Sequence, residues 1–155
     1  MGNYSPSTIA RIGDIVTGLR VDKAAIAIAA ISTKSLFTVS GGNCLILGLV
    51  GEVTTIIQNQ ANNTKLISTP ATGSAVDMCA VVDIAALEVG GLLSLNGALA
   101  TALGKTNAGA AAFCATPVVV APGTIGINTA ADNTGAIKAS IWYVPLEDGA
   151  SIAAA

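Results

Sequence analysis

Turn signals divide this chain into short segments, and their spacing limits its fold more than any other feature. Clusters of Gly, Pro, Asn, Asp and Ser recur roughly every 8 to 12 residues, and the segments between them are rich in β-branched residues. About eight to ten short strands separated in this way are typical of an antiparallel sandwich or barrel. We therefore predict an all-β, single-domain antiparallel β-sandwich over residues 21–155, with a jelly roll as its topology.

The clearest pair of strand patterns lies within Gly123–Pro145. Polar and apolar residues alternate over Thr124–Asn128, and the turn residues Ala131–Gly135 follow. Ala136–Val144 is then rich in β-branched and aromatic residues. The pattern predicts an antiparallel hairpin that closes the core. The neighbouring pair Trp142–Tyr143 is predicted to anchor the packing, because aromatic residues are only 3% of the chain.

Two earlier segments and the tail complete the strand prediction. Small and large residues alternate within Val21–Thr33, which favours a strand, with a helix as the alternative. Cys44–Ile57 is the longest β-rich run. Gly48 and Gly51 inside it predict a bulge, or a bend that lets this strand serve two sheets. The tail, Leu146–Ala155, consists mostly of small residues, and we expect it to be partly free.

Charged residues are scarce in this chain. They make up 10% of it, against about 25% in ordinary soluble domains, and the net charge is −2. So few charges protect a surface poorly against association, so we expect much of it to be covered by other copies or by a partner. The seven Lys and Arg are scattered, and the apolar runs are interrupted by Gly, Pro and Asn. We therefore expect neither nucleic acid nor a membrane as a partner.

No group of residues points to catalysis. The chain has no His, so neither a Ser-His-Asp triad nor a Cys nucleophile with a His base can form. The three cysteines, Cys44, Cys79 and Cys114, lack the paired spacing of a zinc site. We interpret them as buried thiols within strands. We predict that the protein is not an enzyme and that it uses no cofactor and no metal.

The first twenty residues differ from the strand-rich part and form a predicted N-terminal arm, residues 1–20. Its apolar residues recur at helical spacing, but Gly13 and Gly18 weaken a helix, and the segment is too short to fold alone. Its apolar side chains therefore need another surface, either the core of the same domain or a neighbouring molecule. The second alternative predicts these interface residues: Tyr4, Ile9, Arg11, Ile12, Ile15, Leu19 and Arg20.

Three runs of sequence resemble small structural proteins of tailed bacteriophages. They are LFTVSGGNCLILGLVGEVTT, DMCAVVDI and TPVVVAPGTIGINTAADNTGAIKASIWYVPLEDGASIAAA. The resemblance covers about residues 21–155, and within that class the chain is most similar to capsid decoration, or cement, proteins. It implies a small β-fold, a homo-oligomer, and binding to the major capsid protein on the outside of the shell. It carries over no catalytic residues.

On this resemblance we expect a virion protein on the capsid exterior, made in the cytoplasm of the host bacterium. A trimer is the first expectation and a dimer the second, because decoration commonly sits at local symmetry axes. Two alternatives belong to other functional classes. One is a head-fibre or tail module with a structural or receptor-binding role, and the other is a carbohydrate-binding β-sandwich.

Overall fold

A computed structural model describes residues 17–155, and every regular element within residues 18–155 is a strand. The twelve strands are β1 (Leu19–Ala27), β2 (Thr33–Ser40), β3 (Cys44–Thr55), β4 (Asn63–Pro70), β5 (Val76–Asp77), β6 (Val82–Asp83), β7 (Leu92–Ser94), β8 (Gly104–Thr106), β9 (Val118–Val120), β10 (Gly123–Asn128), β11 (Ala136–Pro145) and β12 (Ser151–Ala154).

These strands form two antiparallel sheets that pack against each other. The first sheet has the order β1-β11-β3-β7-β8, and β9 pairs with β3 beside β7. The second has the order β12-β2-β10-β4-β5, and β6 pairs with β4 beside β5. The predicted antiparallel β-sandwich is confirmed. The jelly-roll topology is not confirmed by this strand order and stays a prediction.

The core lies between the sheets and follows the two-residue period of the strands. In β11, Ile137, Ala139, Ile141 and Tyr143 are buried, whereas the residues between them face away from the core. Phe37 of the second sheet is fully buried. Complete burial of a side chain of this size contributes about 1.5–3 kcal/mol, so the alternating pattern is what holds the two layers together.

The hairpin predicted within Gly123–Pro145 does not form. Its first strand, β10, lies in the second sheet between β2 and β4, and its second strand, β11, lies in the first sheet between β1 and β3. Both are interior strands with neighbours on each side, so neither has an edge left for the other. The turn residues between them therefore carry the chain from one sheet to the other.

A buried asparagine fixes this crossing, which we call the crossover loop (residues 129–135). The Asn62 side chain is fully buried, and its Oδ1 accepts hydrogen bonds from the backbone N–H groups of Ala130 (2.9 Å) and Ala131 (3.2 Å). Its Nδ2 donates to the Ala131 carbonyl at 3.2 Å. From the other side, Asn133 donates to the carbonyl of Gln60 at 2.8 Å. The bonds to Asn62 satisfy backbone groups of the loop that have no strand partner.

Two of the other predicted strands are found, one with a correction. The strand in Val21–Thr33 is confirmed as β1, which excludes the helix, and it begins at Leu19, inside the predicted arm. The long strand is confirmed as β3. Its register against β11 shifts between the pairs Trp142–Gly48 and Tyr143–Ile46, so the predicted bulge is present. However, β3 stays within one sheet, and the prediction that it serves two sheets is wrong.

The prediction of a partly free tail is also wrong. β12 pairs with β2 at the edge of the second sheet, and Ala150 and Ile152 are buried. The last residue, Ala155, donates its backbone N–H to the Leu36 carbonyl at 3.0 Å. A single large apolar residue, Ile152, therefore brings a tail of small residues into the core and completes the edge of the sheet.

The three cysteines are free thiols, but only one lies in a strand. Cys44 is buried in β3, Cys79 is buried in the segment between β5 and β6, and Cys114 is half-buried in the loop before β9. The expectation of buried thiols within strands therefore holds fully for Cys44 alone. Burial raises the pKa of all three thiols above its usual value.

Candidate functional site

The outer face of the first sheet carries a row of three side chains, which we call the aromatic row: Arg20, Trp142 and Phe113. Arg20 of β1 is the register partner of Trp142 of β11, and its guanidinium carbon lies 5.3 Å from the centre of the Trp142 ring. Phe113 meets Trp142 edge to face, with ring centres 5.2 Å apart. Cation–π contact and edge-to-face packing both favour this order.

A glycine makes room for the third member of the row. Gly48 of β3 is the register partner of Trp142, and the Phe113 ring lies over it. A Cβ atom at position 48 would lie only 2.0 Å from Cζ of Phe113. Because position 48 has no side chain, the loop that carries Phe113 can pack against the sheet.

Polar contacts orient the cationic end of the row. Asp22 Oδ1 accepts hydrogen bonds from Arg20 Nε at 2.8 Å and from Ser140 Oγ at 2.5 Å. The Ser140 hydrogen bond and then the Arg20 hydrogen bond lower the pKa of the Asp22 carboxyl. All of these groups border solvent, so the ion pair between Arg20 and Asp22 positions the guanidinium and contributes little to the stability of the fold.

A cleft lined by both polar and apolar residues opens beside the aromatic row, and we call it the β8 cleft. It has a volume of about 310 Å³ and lies between the β7–β8 pair and the loop that carries Phe113. Its polar lining residues are Ser94, Asn96, Thr101, Lys105 and Thr106. Hydroxyl, amide and ammonium groups therefore share this cleft with several alanines and one aromatic ring, that of Phe113.

An apolar groove lies on the side of the sandwich where the sheets end at β9 and β5, and we call it the edge groove. It has a volume of about 230 Å³, and no charged residue lines it. Three of its lining side chains are large, apolar and about half exposed: Val76 of β5 (52%), Leu99 (49%) and Val119 of β9 (57%). Exposed apolar side chains that line one groove are the usual mark of a contact surface.

The residues predicted as an interface are only partly described. Tyr4, Ile9, Arg11, Ile12 and Ile15 lie outside the described residues. Leu19 is half-buried against the core of its own domain, and Arg20 is exposed at one end of the aromatic row.

Sequence reasoning missed the residues that build the cleft and the edge groove. Of the predicted anchors Trp142 and Tyr143, Trp142 packs on the outer face and only Tyr143 enters the core. The one available signal was the glycine in the longest strand, Gly48, which marked a close approach without naming its partner. Nothing in the sequence pattern connects Val76, Leu99 and Val119, which come from distant segments.

Within residues 17–155, no cluster of three or more His, Cys, Asp or Glu side chains is placed to hold a metal ion. In the same range, no helix has the length and apolar character needed to cross a membrane. No protein-family model, curated protein or solved structure matches this chain.

Proposed function

We propose that this protein is a structural virion protein of a tailed bacteriophage, a homo-oligomeric capsid decoration protein. It binds the outer surface of the major capsid shell and stabilises it. Each copy that binds only the assembled shell shifts the equilibrium away from disassembled subunits. On a particle that carries many copies, the stabilisation from each bound copy therefore adds up over the whole shell.

The observation that carries the proposal is the edge groove together with the scarcity of charge. Three half-exposed apolar side chains line one uncharged groove in a chain with only 10% charged residues. Exposed apolar area of this kind is covered in assemblies, and a small β-sandwich with such a surface suits a structural role. The resemblance of residues 21–155 to decoration proteins is the reason for proposing a phage capsid as the particle that the protein binds.

The occupant of the edge groove is a second copy of this chain. A partner with a charged contact surface would leave that charge without a counterpart, because no charged side chain lines the groove. The chain itself offers uncharged apolar surface, with Ile31 at 71% and Ile56 at 56% exposure. A contact between the groove and a different patch on the next copy is head-to-tail, and it forms a ring such as the expected trimer where the rotation between copies closes.

Sedimentation tests the oligomer with a matched pair of variants. Val119→Asp places a carboxylate in the edge groove, whereas Val89→Asp places one on a somewhat more exposed valine before β7. We expect wild type and V89D to sediment as a trimer and V119D as a folded monomer. A monomeric wild type at micromolar concentration, or a trimeric V119D, contradicts the assignment of the groove.

Pelleting with capsid shells that lack the protein tests the decoration role. We expect wild type to pellet with intact shells and to remain in the supernatant without them. Protein that binds purified tails or fibres but not shells favours the alternative role in a head fibre or tail. Failure to bind any particle component contradicts a virion role altogether.

A further inference from the structure

We propose that the β8 cleft binds a single neutral sugar unit. The cleft has a volume of about 310 Å³, at the lower end of the about 300–1,000 Å³ of small-molecule sites. That size suits one sugar ring and excludes a folded peptide element. The sugar site is independent of the virion assignment, because it follows from the lining of the cleft alone.

A glycine keeps one hydroxyl of the cleft accessible. Ser94 of β7 and Gly104 of β8 are register partners, and a Cβ atom at position 104 would lie 2.7 Å from Ser94 Oγ. Any side chain at position 104 would therefore cover or displace this hydroxyl. Since position 104 is glycine, the otherwise buried Ser94 presents its hydroxyl to the cleft.

Two further polar groups have hydrogen-bonding capacity left for a ligand. Thr106 Oγ1 accepts the backbone N–H of Ala108 at 2.8 Å, which leaves its hydroxyl proton free to be donated. Asn96 Oδ1 accepts the backbone N–H of Ala98 at 3.4 Å, which leaves Nδ2 as a donor. Together with Ser94, these groups offer a mixture of donors and acceptors, and a sugar ring carries the complementary mixture on its hydroxyl groups.

Phe113 supplies the apolar wall that a sugar ring also needs. Phe113 is 48% exposed and lines the cleft, and its ring contacts Gly48 and Trp142. Sites for small ligands combine such aromatic walls with a few placed polar groups. The C–H face of a sugar ring packs on an aromatic ring while its hydroxyls reach the polar side of the cleft.

The charge of the lining indicates a neutral sugar. No carboxylate lines the cleft, and its one cationic residue, Lys105, donates from Nζ to the carbonyl of Asp83. That bond directs the ammonium toward Asp83, and the group keeps its charge and two further N–H donors. The other polar groups of the lining are uncharged hydroxyls and one amide, which match the hydroxyl groups of a neutral sugar.

Titration of the full chain with simple sugars tests the site. The probes are the methyl glycosides of glucose, galactose, mannose and N-acetylglucosamine, with glucuronic acid as the charged comparison. We expect at least one neutral glycoside to bind with a dissociation constant of about 1 mM or lower. Binding of glucuronic acid alone, or of no probe at all, overturns the proposal.

Two variants place the binding in the cleft. Gly104→Val fills the space above Ser94 and should abolish binding, and because Gly104 lies in a strand, the backbone accepts a β-branched residue. Ser94→Ala removes only the hydroxyl and should weaken binding about five- to tenfold, even if G104V fails to fold. Ser74→Ala, in an exposed loop, is the control and should bind as wild type. Wild-type affinity in S94A overturns the assignment to this cleft.

Discussion

Phe113 lies over Gly48, in the space that a side chain at position 48 would occupy, with only 2.0 Å between its Cζ and an added Cβ. This single relationship fixes the loop before β9 against the outer face of the first sheet. It also joins the aromatic row to the β8 cleft, because Phe113 belongs to both.

Gly48→Ala should therefore lower the free energy of unfolding by about 1–3 kcal/mol, the usual cost of overpacking. Denaturant unfolding measures this, and the fluorescence of Trp142, the only tryptophan, should change as Phe113 is displaced. In a Phe113→Ala background the same substitution should cost under about 1 kcal/mol, because the clash is gone. An equal cost of G48A in both backgrounds would show that Phe113 does not lie over position 48.

Asn62→Ala should destabilise the protein by about 2–4 kcal/mol. It removes the acceptor of two backbone N–H groups in the crossover loop, Ala130 and Ala131, and leaves them without a partner. The matched control is Asn128→Ala, which removes one exposed side-chain hydrogen bond to Thr33 and should cost under about 1 kcal/mol. Thermal unfolding of the two variants compares them, and similar melting temperatures would contradict the anchoring role of Asn62.

The stabilising effect of Asp83 should depend on pH. Hydrogen bonds from the backbone N–H groups of Asn62 and Ala85 lower the pKa of its carboxyl in the folded state. Because the folded pKa is the lower one, its contribution is complete above the ordinary value of about 4 and is lost as the pH falls below it.

The pair to compare is wild type and Asp83→Ala, unfolded at pH 7 and again near pH 2.5. The difference between their free energies of unfolding should be smaller at the lower pH. Asp148→Ala, a change at an exposed carboxylate before β12, should leave stability unchanged at both values. If the difference in stability between wild type and D83A widened on acidification, it would contradict a lowered pKa of Asp83 in the folded state.

Reductant should leave the melting temperature unchanged, because all three cysteines are free thiols. Burial raises the pKa of Cys44 and Cys79, which keeps them protonated and slow to react. In the folded protein at pH 7.5, an alkylating reagent should label Cys114 first, since it is the least buried of the three. Labelling of Cys44 before Cys114, or a melting temperature that drops in reductant, contradicts this arrangement.

The sandwich itself could be predicted because strand alternation is local. The apolar residues Ile137, Ala139 and Ile141 recur at every second position, and this short pattern is enough to predict which face of the strand is buried. The partner of each strand could not be predicted in the same way. β10 and β11 look like a hairpin in sequence, yet the amide of Asn62, far earlier in the chain, holds the loop between them in a crossing.

The candidate sites could not be predicted from the sequence either, because they too depend on which strands and loops become neighbours. The Ser94–Gly104 pair depends on the pairing of β7 with β8, and the edge groove brings together Val76, Leu99 and Val119 from three segments. No periodicity connects residues so far apart. Conversely, the scarcity of charge could be read directly from composition, and it predicted association without locating the surface responsible.

Electron microscopy of the phage particle that carries this protein tests the central claim most directly. A reconstruction of particles with the protein, compared with particles from which its gene has been deleted, should show difference density on the outer surface of the capsid shell. That density should fit β-sandwiches in which the edge groove of each copy contacts a different patch of the next copy around a local symmetry axis. Difference density confined to the tail or to fibres, or an unchanged shell, would contradict the decoration role.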